Sequence, residues 1–325
     1  MKFAIPDNFP TVYAEDHPAL KPLTERGEIA LFSTRQESPA ELIERLKGAT
    51  AAINVRAYSK FDSALFAALP DLKFLTVMGT GTDNIDLVAA SAHGVVVSNT
   101  PTAPTVSVAE HTITLMLALT KNIIPMHNAL IGGNWKHIPG IELRGKTFGI
   151  VGLGLIPTEI IPVVKALGMR VVGWSLTKDV NRARRLGIEL LELDEVIKQS
   201  DVLSLLLRAS PRTQQIIGRR ELGLMKPSAY LINTGRGALV DEDALYEVLR
   251  DKKIAGAAID VFQTEPLPAT SPLLTLDNVV VTPHVAWVTD AGIDRMSRHP
   301  VENILAYIAG KPQFVVNPDV LTKIS

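Results

Sequence analysis

The stretch KTFGIVGLGLIPTEIIPVVKALGMRVVGWS, Lys146 to Ser175, decides how the rest of the chain is read. An apolar run is followed by two closely spaced glycines, then by a segment of helical apolar spacing, then by a second apolar run, RVVGWS. That order is a strand, tight turn, helix and strand of the kind that holds a dinucleotide pyrophosphate. There the first glycine permits the turn, the second lets phosphate approach the backbone, and the third lets helix and strand pack closely. Gly152 and Gly154 supply the first two, and Pro157 stands at the third position. Phosphate would meet the amides of Leu155 and Ile156, helped by the positive end of the helix dipole. A proline in the first turn removes only an amide that has no intrahelical partner. It does forfeit the close contact, so the helix is expected to ride further from the sheet. Pro162 lies deeper, where a missing donor and a ring clash cost about 3 kcal/mol or a bend. A bent helix is therefore expected. Alone, the pair of glycines is a weak sign, because any α/β protein can carry such a turn.

The end of the second run adds to the reading. Where an acidic side chain would bind the adenine-ribose hydroxyls of NAD, this chain has Ser175. Lys178 and Arg182 follow, and Arg208 stands just past the later run DVLSLLL. These cations suit a 2′-phosphate, so NADP is favoured over NAD as cofactor; each also reads as a solvated surface charge.

Further out, short apolar runs alternate with helical segments in two series, the pattern of two parallel sheets covered on both faces. The first series is KFAIP, IALFS, AAINV, LKFLTVMG and GVVVSN; the second is TFGIVGL, RVVGWS, DVLSLLL, AYLINTG, IAGAAIDV and NVVVTPH. In SPAELIERLKG, Ser38 suits an N-cap, Pro39 the first helical position and Gly48 the stop. Between the series VSVAEHTITLMLALTKNI reads as one long, mostly buried helix, and the late segment VENILAYIAGKP as an amphipathic helix returning to the first domain.

A chain of 325 residues accommodates two such domains. Net charge is −1 with acids and bases interspersed, which argues against a nucleic-acid or anionic-membrane partner. No apolar run is long enough to span a bilayer, and the N-terminus MKFAIPDNFP lacks a basic region before an apolar block. The absence of cysteine excludes disulfides and thiolate metal sites and fits a reducing compartment. A cytoplasmic protein is the expectation.

Three strand-end segments carry candidate chemistry. LINTGRGALVDEDAL sets Arg236 between glycines after an apolar run, where a guanidinium fork suits a carboxylate or a polarised carbonyl. IDVFQTEPLP sets Asp260 at a strand end and Glu265 in the loop beyond, and VVVTPHVAW sets His284 directly after the last run. Reduction of a 2-keto acid needs a proton from a group titrating near neutral pH, which suits His284; a neighbouring carboxylate favours imidazolium and orients the ring, which suits Glu265. Singly, Arg236 reads equally as a turn residue, Glu265 as a solvated loop acid and His284 as a strand-end histidine bonded to backbone. Their succession along one sheet edge favours the joint reading.

GLGLIP, LINTGRGALVDEDAL, AAIDVFQTEPLP and DNVVVTPH closely resemble the D-isomer-specific 2-hydroxyacid dehydrogenases, and GTGTDNIDL with VAEHTITLMLAL extends the likeness into the first domain. It covers about Leu72 to Pro312. The resemblance implies a Rossmann cofactor domain, residues 101–287, inserted into a discontinuous flavodoxin-like substrate domain, residues 1–100 and 288–325, both doubly wound, usually in a homodimer. It places the family's arginine, glutamate and histidine at Arg236, Glu265 and His284. It further implies that backbone amides of Thr80 and Gly81 hold the substrate carboxylate and that Asp260 binds the nicotinamide carboxamide. Thr234 completes the expected cofactor-binding set of Gly152, Gly154, Leu155, Ile156, Ser175, Lys178, Arg208 and Asp260. No metal is implied. Pro157, Pro162, Ser175 and Arg208 depart from the usual pattern and bear on cofactor preference. Arg56, Tyr58, Met78 and Trp287 are candidates for substrate specificity. Formate dehydrogenases, which are similar, would carry glutamine at position 265, and phosphite dehydrogenases a lysine where this chain has Thr80. No room is expected after QFVVNPDVL for a regulatory tail domain. The alternative from another class is a nucleotide-sensing scaffold such as a transcriptional corepressor of this fold, which would normally need partner-binding extensions.

Overall fold

The computed structural model describes residues 1–9, 11–55 and 58–324, so Arg56 lies outside the described residues. The chain divides into two compact units, Met1–Pro104 with the segment from Thr289 onward, and Thr105–Val288.

The first unit holds β1 (Lys2–Ile5), β2 (Glu28–Leu31), β3 (Ala51–Asn54), β4 (Phe74–Val77) and β5 (Val96–Ser98). All pair in parallel, in the order β2-β1-β3-β4-β5, which is the flavodoxin-like winding. Its helices start where a side chain supplies an acceptor for an orphan amide. Ser38 is extended and accepts the Glu41 amide at 3.2 Å, Pro39 takes the first turn of Pro39–Leu46, and Gly48 follows with φ +73°. Asp62 and Asp86 cap Ser63–Ala68 and Leu87–Ala92 in the same way. The helix Asp290–Ile308 belongs to this unit, where Tyr307 stacks on Phe74 at 4.6 Å.

The second unit holds β6 (Thr147–Val151), β7 (Arg170–Trp174), β8 (Glu189–Leu190), β9 (Val202–Leu205), β10 (Tyr230–Asn233), β11 (Gly256–Ile259) and β12 (Val279–Val281). They form one parallel sheet in the order β12-β11-β10-β9-β6-β7-β8. Read from β6 this is the Rossmann order with one added strand. Alternate residues feed opposite cores: Leu203, Leu231 and Ala257 on one face, Val202, Ile232 and Ala258 on the other. Burial of each valine, leucine or isoleucine contributes about 1.5–3 kcal/mol, so a sheet covered twice is held from both sides. Both doubly wound sheets match the fold class read from the sequence.

Two local features differ from expectation. The long helix stops at Thr120: Asn122 takes φ +53°, and a separate helix, Ile123–Ile131, follows with no buried residue. The two-residue β8 is too short to announce itself as a run. The helix that carries both prolines spans Ile156–Ala166, with Pro162 facing solvent inside it and Pro157 buried, as are Ile160, Ile161 and Val164. Among the described residues no helix is long and apolar enough to cross a membrane, and no group of three or more potential metal ligands occurs.

Candidate active site

The carboxyl ends of the seven-stranded sheet gather most of the singled-out residues. β6 lies between β9 and β7, the point where the winding reverses and a crevice opens. Gly152 follows β6 with φ +110° and donates to Trp174 O at 2.8 Å; a β-carbon there would come within 2.9 Å of the Leu206 main chain. Only glycine fits this turn. Gly154, by contrast, has nothing within 4 Å of where its β-carbon would lie. Beside it the amides of Leu155 and Ile156, at the start of an eleven-residue helix, have no partner among the described residues. Open space, free amides and a helix N-terminus fit a pyrophosphate.

At the end of β7 Ser175 is buried, and its hydroxyl has no hydrogen-bond partner. Arg182, on the helix Val180–Leu186 capped by Asp179, donates from Nε to Leu153 O and from Nη2 to Gly154 O, so its guanidinium lies on the glycine turn. Lys178 is turned elsewhere: it pairs with exposed Glu192 at 2.6 Å, a bond worth little in solvent. Arg208 is exposed after β9, with Thr213 Oγ1 on its carbonyl at 2.8 Å. Thr234 is buried and lies 2.8 Å from Thr112 Oγ1. Since Thr112 gives its own proton to Val108 O at 2.7 Å, Thr234 is the donor.

The loops after β10 and β11 are pressed together. Buried Asn233 folds the first, accepting from Gly235 N at 3.1 Å and donating to Arg236 O at 2.9 Å. Arg236 is half-buried, and its Nη1 donates to Gly235 O at 2.8 Å. A β-carbon on Gly237 would stand 1.9 Å from the Phe262 carbonyl carbon, so the arginine loop and the glutamate loop touch backbone to backbone. Glu265 turns back to accept Phe262 N at 3.0 Å through Oε1, and its Oε2 lies 2.7 Å from His284 Nδ1. Burial raises the Glu265 carboxyl, but the His284 hydrogen bond and charge, the Phe262 amide and the Arg236 charge outweigh it and hold the group below its ordinary value. Glu242 braces the same loop by accepting Gln263 N at 2.6 Å; burial, then the charges of Asp243 and Glu265, push it up against that bond.

His284 sits in the left-handed region at φ +52°, and its amide donates to Asp260 O at 2.8 Å. Asp260 is completely buried. Its carboxylate accepts Thr282 Oγ1 at 2.6 Å, Val285 N at 3.0 Å and Ala286 N at 3.1 Å. Burial opposes ionisation, yet the His111 ring 3.6 Å away and the bonds from Thr282, Val285 and Ala286 keep its pKa below the ordinary value.

Thr80 and Gly81 belong to the first unit, on the loop after β4. Gly79 has φ +137° and donates to Thr100 Oγ1 at 2.7 Å, and Asn99 Nδ2 donates to Thr80 O at 2.7 Å. Tyr58 donates to Phe9 O at 2.7 Å with the Arg35 guanidinium 4.5 Å over its ring, Met78 is buried, and Trp287 is half-buried in the second unit. Sequence reasoning missed Asn99, Glu242 and His111. A histidine inside a mostly buried helix was the one available signal, and helix periodicity absorbed it.

Comparisons with known proteins converge on one group. A family model described as the NAD-binding domain of D-isomer specific 2-hydroxyacid dehydrogenases matches residues 113–286. The chain is 36% identical to a glyoxylate reductase of Aeropyrum pernix over 313 residues, 93% of each protein. It is 42% identical to a D-3-phosphoglycerate dehydrogenase of Methanocaldococcus jannaschii over 277 residues, 84% of this chain but only 52% of that one, so it spans about half that relative's length. Among solved structures, an acyclic imino acid reductase in complex with NADPH and D-Arg superposes with a TM-score of 0.89 at 31% identity, covering 97% of this chain and 100% of the other. A D-lactate dehydrogenase from Aquifex aeolicus, complexed with NAD and lactic acid, gives 0.86 at 28% identity, covering 98% and 99%.

Proposed function

The chain belongs to the D-isomer specific 2-hydroxyacid dehydrogenases, and from that premise we propose that it reduces a small 2-keto acid to the D-2-hydroxy acid, with NADPH in preference to NADH. The observation that carries the reading is the 2.7 Å contact between His284 Nδ1 and Glu265 Oε2 at the carboxyl edge of a Rossmann sheet. A bound nicotinamide would supply the hydride. With Nδ1 engaged by the carboxylate, His284 Nε2 holds the proton that the carbonyl oxygen takes up, and Glu265 stabilises the imidazolium and fixes the ring. Arg236 binds the substrate carboxylate or the polarised carbonyl, as do the amides of Thr80 and Gly81. Gly152, Gly154, Leu155 and Ile156 hold the pyrophosphate, with Thr234 lining the site. Ser175 and Arg182 support the NADPH preference, the first because no carboxylate there repels a 2′-phosphate, the second because its cation already lies at the glycine turn; Lys178 and Arg208 are the outer cations. The likeness to a reductase seen with NADPH also supports it.

That likeness favours a second reading, reduction of the C=N bond of an imino acid by the same residues. We further propose a homodimer, because the helix Ile123–Ile131 buries nothing within the chain and exposes Ile123, Leu130 and Ile131, with Trp135 81% exposed nearby.

Oxidation of NADPH and NADH with glyoxylate, hydroxypyruvate, pyruvate and phenylpyruvate, each with and without an amine, tests the reading. Keto acid turnover faster with NADPH is expected, and His284→Ala should lower kcat about 10²- to 10⁴-fold while nucleotide still binds. Turnover only with the amine present selects the second reading. Loss of nucleotide binding in the variant would mean that His284 is misassigned.

A further inference from the structure

We propose that His111 is a positioning residue that sets His284 through Thr282 and Asp260; this rests on His284 being the proton donor of the reaction. His111 lies on the helix Thr105–Thr120, and its Nε2 is 3.1 Å from Thr282 Oγ1 and 3.6 Å from Asp260 Oδ1. Proton counting fixes the direction of the chain. The Thr282 hydroxyl has one proton and gives it to the Asp260 carboxylate at 2.6 Å. Its oxygen can only accept toward His111, so Nε2 carries a proton and the sequence runs from His111 to Thr282 to Asp260.

Asp260 in turn grips every turn of the segment that bears His284. Its main-chain oxygen takes the His284 amide, and its carboxylate takes the amides of Val285 and Ala286 as well as the Thr282 hydroxyl. His284 needs this grip because a non-glycine residue at φ +52° holds its place only when its surroundings over-determine it. Asp260 has no exposed surface, and its carboxylate serves the histidine loop. His111 completes the cluster from a different element, 149 residues or more away in sequence from its two partners. Without it, the Thr282 oxygen loses its donor and the hydroxyl is free to turn away from Asp260.

The test compares His111→Ala with His111→Gln in the full chain; glutamine retains an N–H donor near the same point. His111→Ala should lower kcat for keto acid reduction about 10- to 100-fold by misplacing the proton donor, with KM and the NADPH dissociation constant unchanged, and His111→Gln should recover most of the loss. Unchanged kcat in the alanine variant, no recovery by glutamine, or a parallel loss of nucleotide binding would each overturn the inference. Nitrogen-15 spectra of the His284 imidazole keep the two assignments separable. If wild type reduces none of the substrates, the functional reading fails, and the inference then stands or falls on whether the His284 signals move in His111→Ala and return in His111→Gln.

Discussion

At Glu265 burial and ion pairing pull in opposite directions, and pairing wins. Its depressed pKa has a definite sign: the carboxylate contributes stability that is fully present above its unfolded value of about 4.3 and is lost as pH falls through the lower, folded value. Wild type should therefore keep the His284–Glu265 pair intact in acid where ordinary glutamates have begun to protonate. Glu265→Gln should erase that acid-side step in a plot of denaturation midpoint against pH, and lower kcat by about 10-fold or more. An unchanged pH dependence of stability would show that Glu265 contributes nothing through its charge. The position of this pair was legible in the sequence because His284 comes just after one apolar strand and Glu265 lies in the loop that follows its neighbour. Ser175 was legible as a missing acid, whereas the reach of Arg182 to Leu153 and Gly154 was not, since it joins residues 28 and 29 positions apart. His111 was hidden for the same reason at greater distance.

At the scale of elements, strands of four or five apolar residues could be read from hydrophobic runs, and the long helix from its apolar spacing. What could not be read were the interruptions that depend on single backbone torsions. Asn122, at φ +53°, separates two helices, the second of which carries Pro125 in its first turn, and Pro162 stands inside a continuous helix with its ring toward solvent. Gly237 is the element-scale counterpart of the proposed catalytic residues, since its missing side chain lets the loops after β10 and β11 touch. Gly237→Ala should force them apart, at about 1–3 kcal/mol or more. For a unit of this size that is a fall in melting temperature of roughly 2–4 °C per kcal/mol, together with a loss of turnover exceeding the loss of stability. Normal kinetics in that variant would show that the Arg236 and Glu265 loops need no fixed spacing.

Over the whole molecule, the two winding orders follow from which strands are consecutive, and the division at Pro104 and Val288 returns the last helix to the sheet that opens the chain. Association is the property most exposed to test. Ile131→Asp combined with Trp135→Ser should convert a species of twice the 35.2 kDa chain mass into one of chain mass in sedimentation, with the melting curve otherwise cooperative. A wild type that sediments at chain mass at every concentration would refute the dimer. The grip of Asp260 on Thr282, His284, Val285 and Ala286 has a consequence for how the molecule comes apart. A segment that is loop by its torsions is held by as many bonds as a strand, so its amide hydrogens are shielded from exchange and open only when the β11–β12 edge of the sheet opens. The histidine is then expected to have no local melting route of its own, so that its amide and the amides of β12 should lose protection against exchange together on heating.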